Sequence, residues 1–417
     1  MRLLIVEPSV ATRFTPIALM RPVFELLCGT RSLRQRLLET LPVNQWGVIV
    51  RDELQAVYQE EFPEAAVNDI KWINAEDTLI VDGTWLGDPR ILLEFWDDEM
   101  KNPETDFPFA FVRRKEASQL DTLSAVVQTF DTSDHSASDS KPQLQFPWDL
   151  IKYNGDLIHL DFVLQAEKLA GQGQDVSGLC SRESNPQQIY IHPTAKLEPF
   201  VSINSENGPV IVEEGAIIQS FTRLEGPCYI GKQTQLFRAN IRGETSLGPV
   251  CRVGGEVEAS IMQGYSNKYH DGFLGHSYVC PWANLGALTS NSDLKNDYSN
   301  VKFPLGTDFI STGEKKIGCL IGDHAKTAIG TLFNTGSNIG VMSMVLPAGR
   351  LCPKHIPSFT RLWHGKLDDQ VDFDASCQTA NIAMSRRGQK LTESQIQLLR
   401  SICEQTAKER EQAINRP

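Results

Sequence analysis

The 417-residue chain carries a formal net charge of −12, from 52 acidic against 40 basic residues, and a surface of that sign disfavours nucleic-acid partners while leaving room for local basic pockets that hold small phosphorylated ligands. Its length exceeds one ordinary domain, and 41% hydrophobic residues suffice for two buried cores. Nine scattered cysteines without a Cys-x-x-Cys pair argue against a zinc site and for reduced thiols in the cytoplasm; the apolar run Leu3 to Val6 is too short for a signal peptide, and no stretch approaches the ~20 apolar residues of a membrane span, so a soluble protein is expected.

Residues 1–130 alternate short apolar runs with helical patterns. The spacing predicts a strand over Leu3 to Val6, a helix around Val23 to Leu38, strands over Trp46 to Val50 and Thr78 to Val81, and a helix from Arg90. That alternation is the mark of βαβ units on a mostly parallel, Rossmann-like sheet. The stretch Asp131 to Ser140, aliphatic only at one alanine, reads as a solvated loop or hinge. A helix over about Asp161 to Ala170 closes a first domain at 1–170, and a polar linker over 171–189 follows.

From about Tyr190 a different period takes over. Mostly aliphatic residues recur at every sixth position in two runs: Ile191, Leu197, then Val212, Ile218, Leu224, Ile230, Leu236, Arg242, Leu247 and Val253, with Arg242 non-aliphatic and the step to Leu247 one residue short, and again Ile321, Thr327, Phe333, Ile339, Val345, Leu351. Helices need periods near three and four and ordinary strands a period of two, so a period of six fits neither. It fits a β-solenoid over 190–365, in which each hexapeptide supplies a short strand and a turn and stacked coils bury one column of inward residues. The spacing predicts an interruption over 264–316 by a long polar insertion. In the tail, 366–417, Ile396, Leu399 and Ile402 or Cys403 sit at the spacing of a single amphipathic helix.

The 264–316 segment holds the densest polar constellation of the chain: Asn267, Lys268, His270, Asp271, His276, Asn284, Asn291, Asp293, Lys295 and Asn296. Taken singly, its asparagines and glycines are what tight turns demand. Taken together, His270 is suited to act as a general base on an attacking amine or hydroxyl, and the neighbouring lysines and amides to hold a sugar phosphate.

The solenoid with Gly-Glu-Val-Glu (255–258), Gly-Tyr-Ser-Asn-Lys (264–268), His-Asp-Gly-Phe-Leu-Gly-His (270–276), Asn284-Leu-Gly-Ala and Ile-Gly-Asp-His-Ala-Lys-Thr (321–327) resembles the GlmU-like family of bifunctional sugar-phosphate nucleotidyltransferases and hexapeptide acyltransferases. The resemblance implies a left-handed parallel β-helix, a homotrimer, and acetyl transfer from acetyl-CoA to glucosamine 1-phosphate with His270 as base. Asn284 then helps to bind acetyl-CoA and sugar. Phe273 stands at the position of a sugar-binding tyrosine, and Asp293, with Asn291 beside it, falls near a substrate-binding asparagine. Glu258 replaces a phosphate-binding lysine, for which Lys268, Arg252 or Arg242 are the candidate substitutes.

The same resemblance implies uridylyl transfer from UTP to N-acetylglucosamine 1-phosphate, with Mg2+, in the N-terminal domain. There the phosphate loop corresponds to Val6-Glu-Pro-Ser-Val-Ala-Thr-Arg13, which keeps Thr12 and Arg13 and replaces both glycines by Ser9 and Ala11. Arg21, before Pro22, takes the position of the cation that stabilises the transferring phosphate. Asp82, at the end of the run Leu79 to Val81, is the candidate metal ligand, since strand C-termini are where ligands bind in open parallel sheets. Single-activity enzymes of either kind, and a non-catalytic trimeric scaffold or sugar-nucleotide sensor, are the alternatives.

Overall fold

The computed structural model describes residues 1–97, 109–115, 120–131, 142–169, 171–306 and 308–415. The loop or hinge read at Asp131 to Ser140 falls, but for Asp131, outside the described residues. Two compact units divide the chain: Met1–Phe14, Met20–Leu26 and Arg31–Pro147 form the first, Thr15–Leu19, Leu27–Thr30 and Trp148–Pro417 the second.

The first unit is built on β1 (Arg2–Val6), β2 (Gln45–Ile49), β3 (Ala66–Val67), β4 (Thr78–Asp82) and β5 (Ala110–Arg113), in spatial order β3-β2-β1-β4-β5. The first four run parallel and β5 is antiparallel to β4. Leu4, Val6, Ile49 and Ile80 share one buried cluster with Val126 and Phe130, which is why β1 and β4 read as continuous apolar runs. The chain leaves β1 toward β2 on one side and returns to β4 on the other, so the strand order switches at β1 and β4. Val6 pairs with Asp82 at that switch, where an open α/β sheet presents its ligand crevice.

The helix expected around Val23 to Leu38 is confined to α1 (Leu33–Thr40). Pro22 opens only a 3-10 turn at Val23–Glu25, Gly29 takes φ +79°, and Ser32 with Gln35 forms a capping box that starts the helix later.

The second unit is a parallel β-helix, the architecture read from the hexapeptide period. Three ladders of short parallel strands make its faces. One runs without a break from Ile189–Ile191 through Val210–Val212, Cys228–Ile230, Thr245–Leu247, Ile261–Met262, Tyr278–Val279, Cys319–Ile321 and Ser337–Ile339 to His355–Ile356. The inward residues Ile191, Val212, Ile218, Leu224, Ile230, Leu236, Leu247, Val253, Ile321, Ile339 and Val345 are fully buried in one continuous core. Each such side chain contributes roughly 1.5–3 kcal/mol by leaving water.

Two positions of the period point outward instead. Leu351 is 57% exposed and Cys352 takes the inward place, and Ile241 rather than Arg242 is buried. In both places the inward residue stands one position off the strict six-residue count. Nor does the solenoid stop at Gly264. Strands Asn267–Lys268, Phe273–Gly275, Tyr278–Val279 and Ser290–Asn291 continue the coils, and the excursion is confined to about 294–316, with a hairpin of Lys302–Leu305 and Asp308–Ser311. Inward positions filled by Lys268 and Asn291 hide these coils from a search for aliphatic residues.

The tail holds three helices, not one: α2 (Phe373–Ser385), α3 (Glu393–Gln405) and α4 (Ala407–Ile414). Asp372 caps α2, and Thr406 breaks the amphipathic pattern between α3 and α4. Leu398, Leu399 and Ile402 are the buried face of α3.

Candidate active sites

In the first unit the segment after β1 folds into a 3-10 turn at Ser9–Arg13. Ala11 is buried, whereas Thr12 and Arg13 are exposed. The Ser9 N–H and Oγ both donate to the Asp131 carboxylate, at 2.9 and 2.6 Å, and Thr12 Oγ1 donates to the Ser9 carbonyl at 2.8 Å. The loop's first N–H therefore already serves an anion of the chain itself. The Arg13 guanidinium lies over the Phe146 ring at 5.4 Å.

Arg21 is half-buried, and its carbonyl accepts from Arg51 at 3.3 Å. Glu7, buried at the end of β1, accepts from Val23 N–H and from Arg51 Nε. Burial pushes the Glu7 carboxyl upward against the pull of Arg51. Burial likewise raises the Glu61 carboxyl, with Glu25 adding to the rise and Arg21 and Arg34 opposing it.

Asp82 is fully buried. Its Oδ1 accepts from the Thr84 N–H at 2.8 Å and the Thr84 hydroxyl at 2.7 Å, and its Oδ2 from Gln143 Nε2 at 2.6 Å. A carboxylate that faces N–H and O–H donors through both oxygens, away from water, anchors a turn and does not fit direct ligation of Mg2+, which keeps several waters in its shell. Among the described residues no group of three or more His, Cys, Asp or Glu side chains is arranged to hold a metal ion.

On the β-helix, His270 is exposed and follows Tyr269, whose ring stacks on Phe237 at 3.9 Å. The His270 ring packs at a tilt against that of Tyr269, 4.9 Å between centroids, and among the described residues makes no hydrogen bond to a side chain. Asn284, one coil away and exposed, accepts from Asn267 Nδ2 at 2.5 Å. Lys268 points inward. Its Nζ donates to the Gly254 and His270 carbonyls, at 2.8 and 3.1 Å, and burial lowers its pKa to about 8 against the opposing effect of Asp271.

Asn291 is turned inward too, bonded through both amide atoms to the backbone of Gly275. Phe273 is half-buried on the outer strand, its N–H donating to Ser290 Oγ. Arg252 stands apart, its guanidinium donating to the carbonyls of Gln233, Val250 and Cys251. With Lys268 and Asn291 buried and Arg252 bonded to backbone carbonyls, Phe273 and Asn284 are the more accessible of these candidate contacts.

The structure adds a pair that the sequence reading did not join. His276 Nδ1 lies 2.8 Å from Asp293 Oδ2. Burial pulls the Asp293 carboxyl upward, but the bond from His276 and the charge of Lys316 outweigh it and hold the group below the usual carboxylate range. Glu258 faces Arg242 at 2.8 Å and Lys316 at 3.6 Å, so this carboxylate is paired with two cations. The seventeen-residue separation of His276 and Asp293 equals one coil, a spacing from which their meeting can be read.

The chain thus joins a mostly parallel α/β unit, with a switch of strand order at β1 and β4, to a β-helix that carries an exposed histidine. Residues 3–168 match the sugar nucleotidyl transferase family model. A bifunctional sugar-1-phosphate nucleotidylyltransferase/acetyltransferase of Sulfurisphaera tokodaii is 35% identical over 144 residues, 34% of this chain and 36% of the relative. The bifunctional protein GlmU of Methanocaldococcus jannaschii is 33% identical over 157 residues, 35% of each chain. The chain thus spans about a third of the length of the curated relatives it matches.

Among solved structures, an Arabidopsis UDP-N-acetylglucosamine acyltransferase aligns with 48% of this chain and 79% of its own, at 10% identity and a TM-score of 0.18. A GDP-perosamine N-acetyltransferase mutant of Caulobacter crescentus, in complex with CoA and GDP-perosamine, aligns with 42% and 52%, at 12% identity and a TM-score of 0.11. At those scores neither adds to what the β-helix itself shows. No helix of the described residues is long and apolar enough to cross a membrane, and all nine cysteines are free thiols.

Proposed function

We propose that the chain is a bifunctional, cytoplasmic, homotrimeric enzyme of amino-sugar nucleotide synthesis. The observation that carries the reading is the coincidence, in one chain, of a sugar nucleotidyl transferase match over residues 3–168 with a β-helix that exposes His270, and Asn284 on the following coil. In the acetyl transfer, the His270 ring takes a proton from the amine of glucosamine 1-phosphate as the nitrogen attacks the thioester carbonyl of acetyl-CoA. The new C–N bond forms, the C–S bond breaks, and the thiolate leaves to collect a proton. Asn284, Phe273 and Asp293 orient the acceptor.

In the nucleotidyl transfer, Arg13 and Arg21 offset the charge that develops on the α-phosphate of UTP as the sugar phosphate displaces pyrophosphate. Mg2+ would supply charge neutralisation in a reaction of this kind, but the Asp82 environment does not fit its ligation.

The test is a paired assay. Glucosamine 1-phosphate with acetyl-CoA is followed by free thiol, and N-acetylglucosamine 1-phosphate with UTP, with and without Mg2+, by pyrophosphate. Both signals are expected, and a protein that releases neither product overturns the reading. One observation favours a second reading, an acyltransferase whose N-terminal unit binds without transferring. Asp131 occupies the Ser9 donors at the start of the phosphate loop, and thiol release without pyrophosphate is its signature.

A further inference from the structure

Lys268 occupies a place in the β-helix that other coils fill with an uncharged side chain. Its column runs through Leu197, Ile218, Leu236, Val253, Lys268, Leu285, Thr327, Val345 and Leu362, one residue per coil in register. Seven of the other eight are aliphatic and one is threonine, and the coils on both sides of Lys268, at Val253 and Leu285, are filled by hydrocarbon. Lys268 is only 2% exposed. An ammonium inside such a column costs desolvation free energy that an aliphatic side chain avoids.

The chain has made room for that ammonium. Its Nζ donates to the carbonyls of Gly254 and His270. Gly255, at φ +73°, lies so close that a Cβ there would stand 2.8 Å from Nζ. The turn that follows, at Asp271 and Gly272, with Gly272 at φ +130°, is tied to neighbouring coils through its carbonyls, which accept from Leu288 and Glu256. The backbone of His270 itself is reached by Lys268 from inside the solenoid.

We infer that Lys268 is a positioning residue that holds the backbone of His270 in place from within the β-helix and makes no contact with substrate. The inference rests on the reading of His270 as the acyl-transfer base. The lowered pKa of the buried ammonium, about 8, accords with a charge kept for this purpose at a cost in solvation.

Lys268→Met and Lys268→Leu test it in the full-length protein by three readouts. Both variants remove a buried charge from an aliphatic column and take the donor from the Gly254 and His270 carbonyls; with the relief of desolvation offsetting the lost bonds, they are expected to melt at or above the parent's temperature. Amide hydrogen exchange across 269–272 is expected to quicken roughly tenfold or more, because the pinned carbonyl is released. Acetyl-transfer kcat is expected to fall roughly tenfold or more, with the KM for acetyl-CoA within about twofold of the parent, the pattern of a displaced base and not of lost binding.

A lower melting temperature in both variants overturns the inference, since the lysine is then needed for the fold. So does unchanged exchange across 269–272, or unchanged kcat with accelerated exchange. Should the parent itself transfer no acetyl group, the reading of function fails, while exchange and melting still decide whether Lys268 holds this turn.

Discussion

Replacing Asp82 separates an anchor from a metal ligand. In the structure its carboxylate accepts from the Thr84 N–H and hydroxyl and from Gln143, at full burial on the end of β4. Hydrogen bonds to a charged acceptor contribute about 1.5–3 kcal/mol each, and they are not additive when they share that acceptor. Asp82→Ala also strands the Thr84 N–H and leaves the Gln143 amide with only its weaker bond to the Thr84 hydroxyl, at 3.1 Å. Together these set the loss at about 3–5 kcal/mol, as for breaking other buried charged networks. Asp82→Asn keeps one carbonyl acceptor and is expected to lose about 1–3 kcal/mol.

Urea unfolding followed by far-UV circular dichroism measures both, with the slope m unchanged if the midpoint alone moves. A metal ligand behaves otherwise. Asp82→Ala would then unfold at the parent's urea concentration while Mg2+-dependent pyrophosphate release disappears, and that result would refute the reasoning from burial and hydrogen bonding.

Three further expectations follow from the same structure. Ile321→Ala, in the core of the β-helix, is expected to cost about 2–5 kcal/mol in chemical unfolding, whereas Leu351→Ala, outward despite its place in the six-residue count, is expected to stay within about 0.5 kcal/mol of the parent; equal losses would contradict the observed register. Asp293 is held below the usual carboxylate range, so its pairing adds stability that is present above that range and is lost as the pH falls through the depressed value. Melting temperatures of the parent and Asp293→Asn are therefore expected to converge in acid, and a constant gap down to low pH would argue against the pairing. Arg13→Ala and Arg21→Ala are each expected to lower pyrophosphate release by roughly 10- to 1000-fold, the scale of lost transition-state charge contacts, while thiol release persists; a parallel loss of both products points to misfolding instead.

The β-helix was legible because its period belongs to no other common element, and Ile230, Ile321 and Ile339 repeat it plainly. The period failed where the inward residue is polar. Lys268 and Asn291 bury polar side chains by bonding them to carbonyl and amide groups of neighbouring coils, so hydrophobicity alone takes their coils for a loop. In the first unit β1 and β4 were evident as buried runs, but the short β3, Ala66–Val67, offers only two residues of pattern.

Among the site residues, His270 and Asn284 stood out by type and spacing, while the direction of each side chain is a tertiary matter. The inward turn of Lys268 follows from its pairing with Val253, and the His276–Asp293 pair from the length of one coil. The anchoring of Asp82 needs Gln143, sixty-one residues away, and nothing local announces it.

The most direct measurement compares wild type with His270→Ala in the presence of acetyl-CoA and glucosamine 1-phosphate, following free thiol, with pyrophosphate release from UTP and N-acetylglucosamine 1-phosphate as the internal control. The account predicts that thiol release falls roughly 100- to 10,000-fold, the range of a lost general base, while pyrophosphate release is unchanged. Thiol release at the wild-type rate in His270→Ala would contradict it.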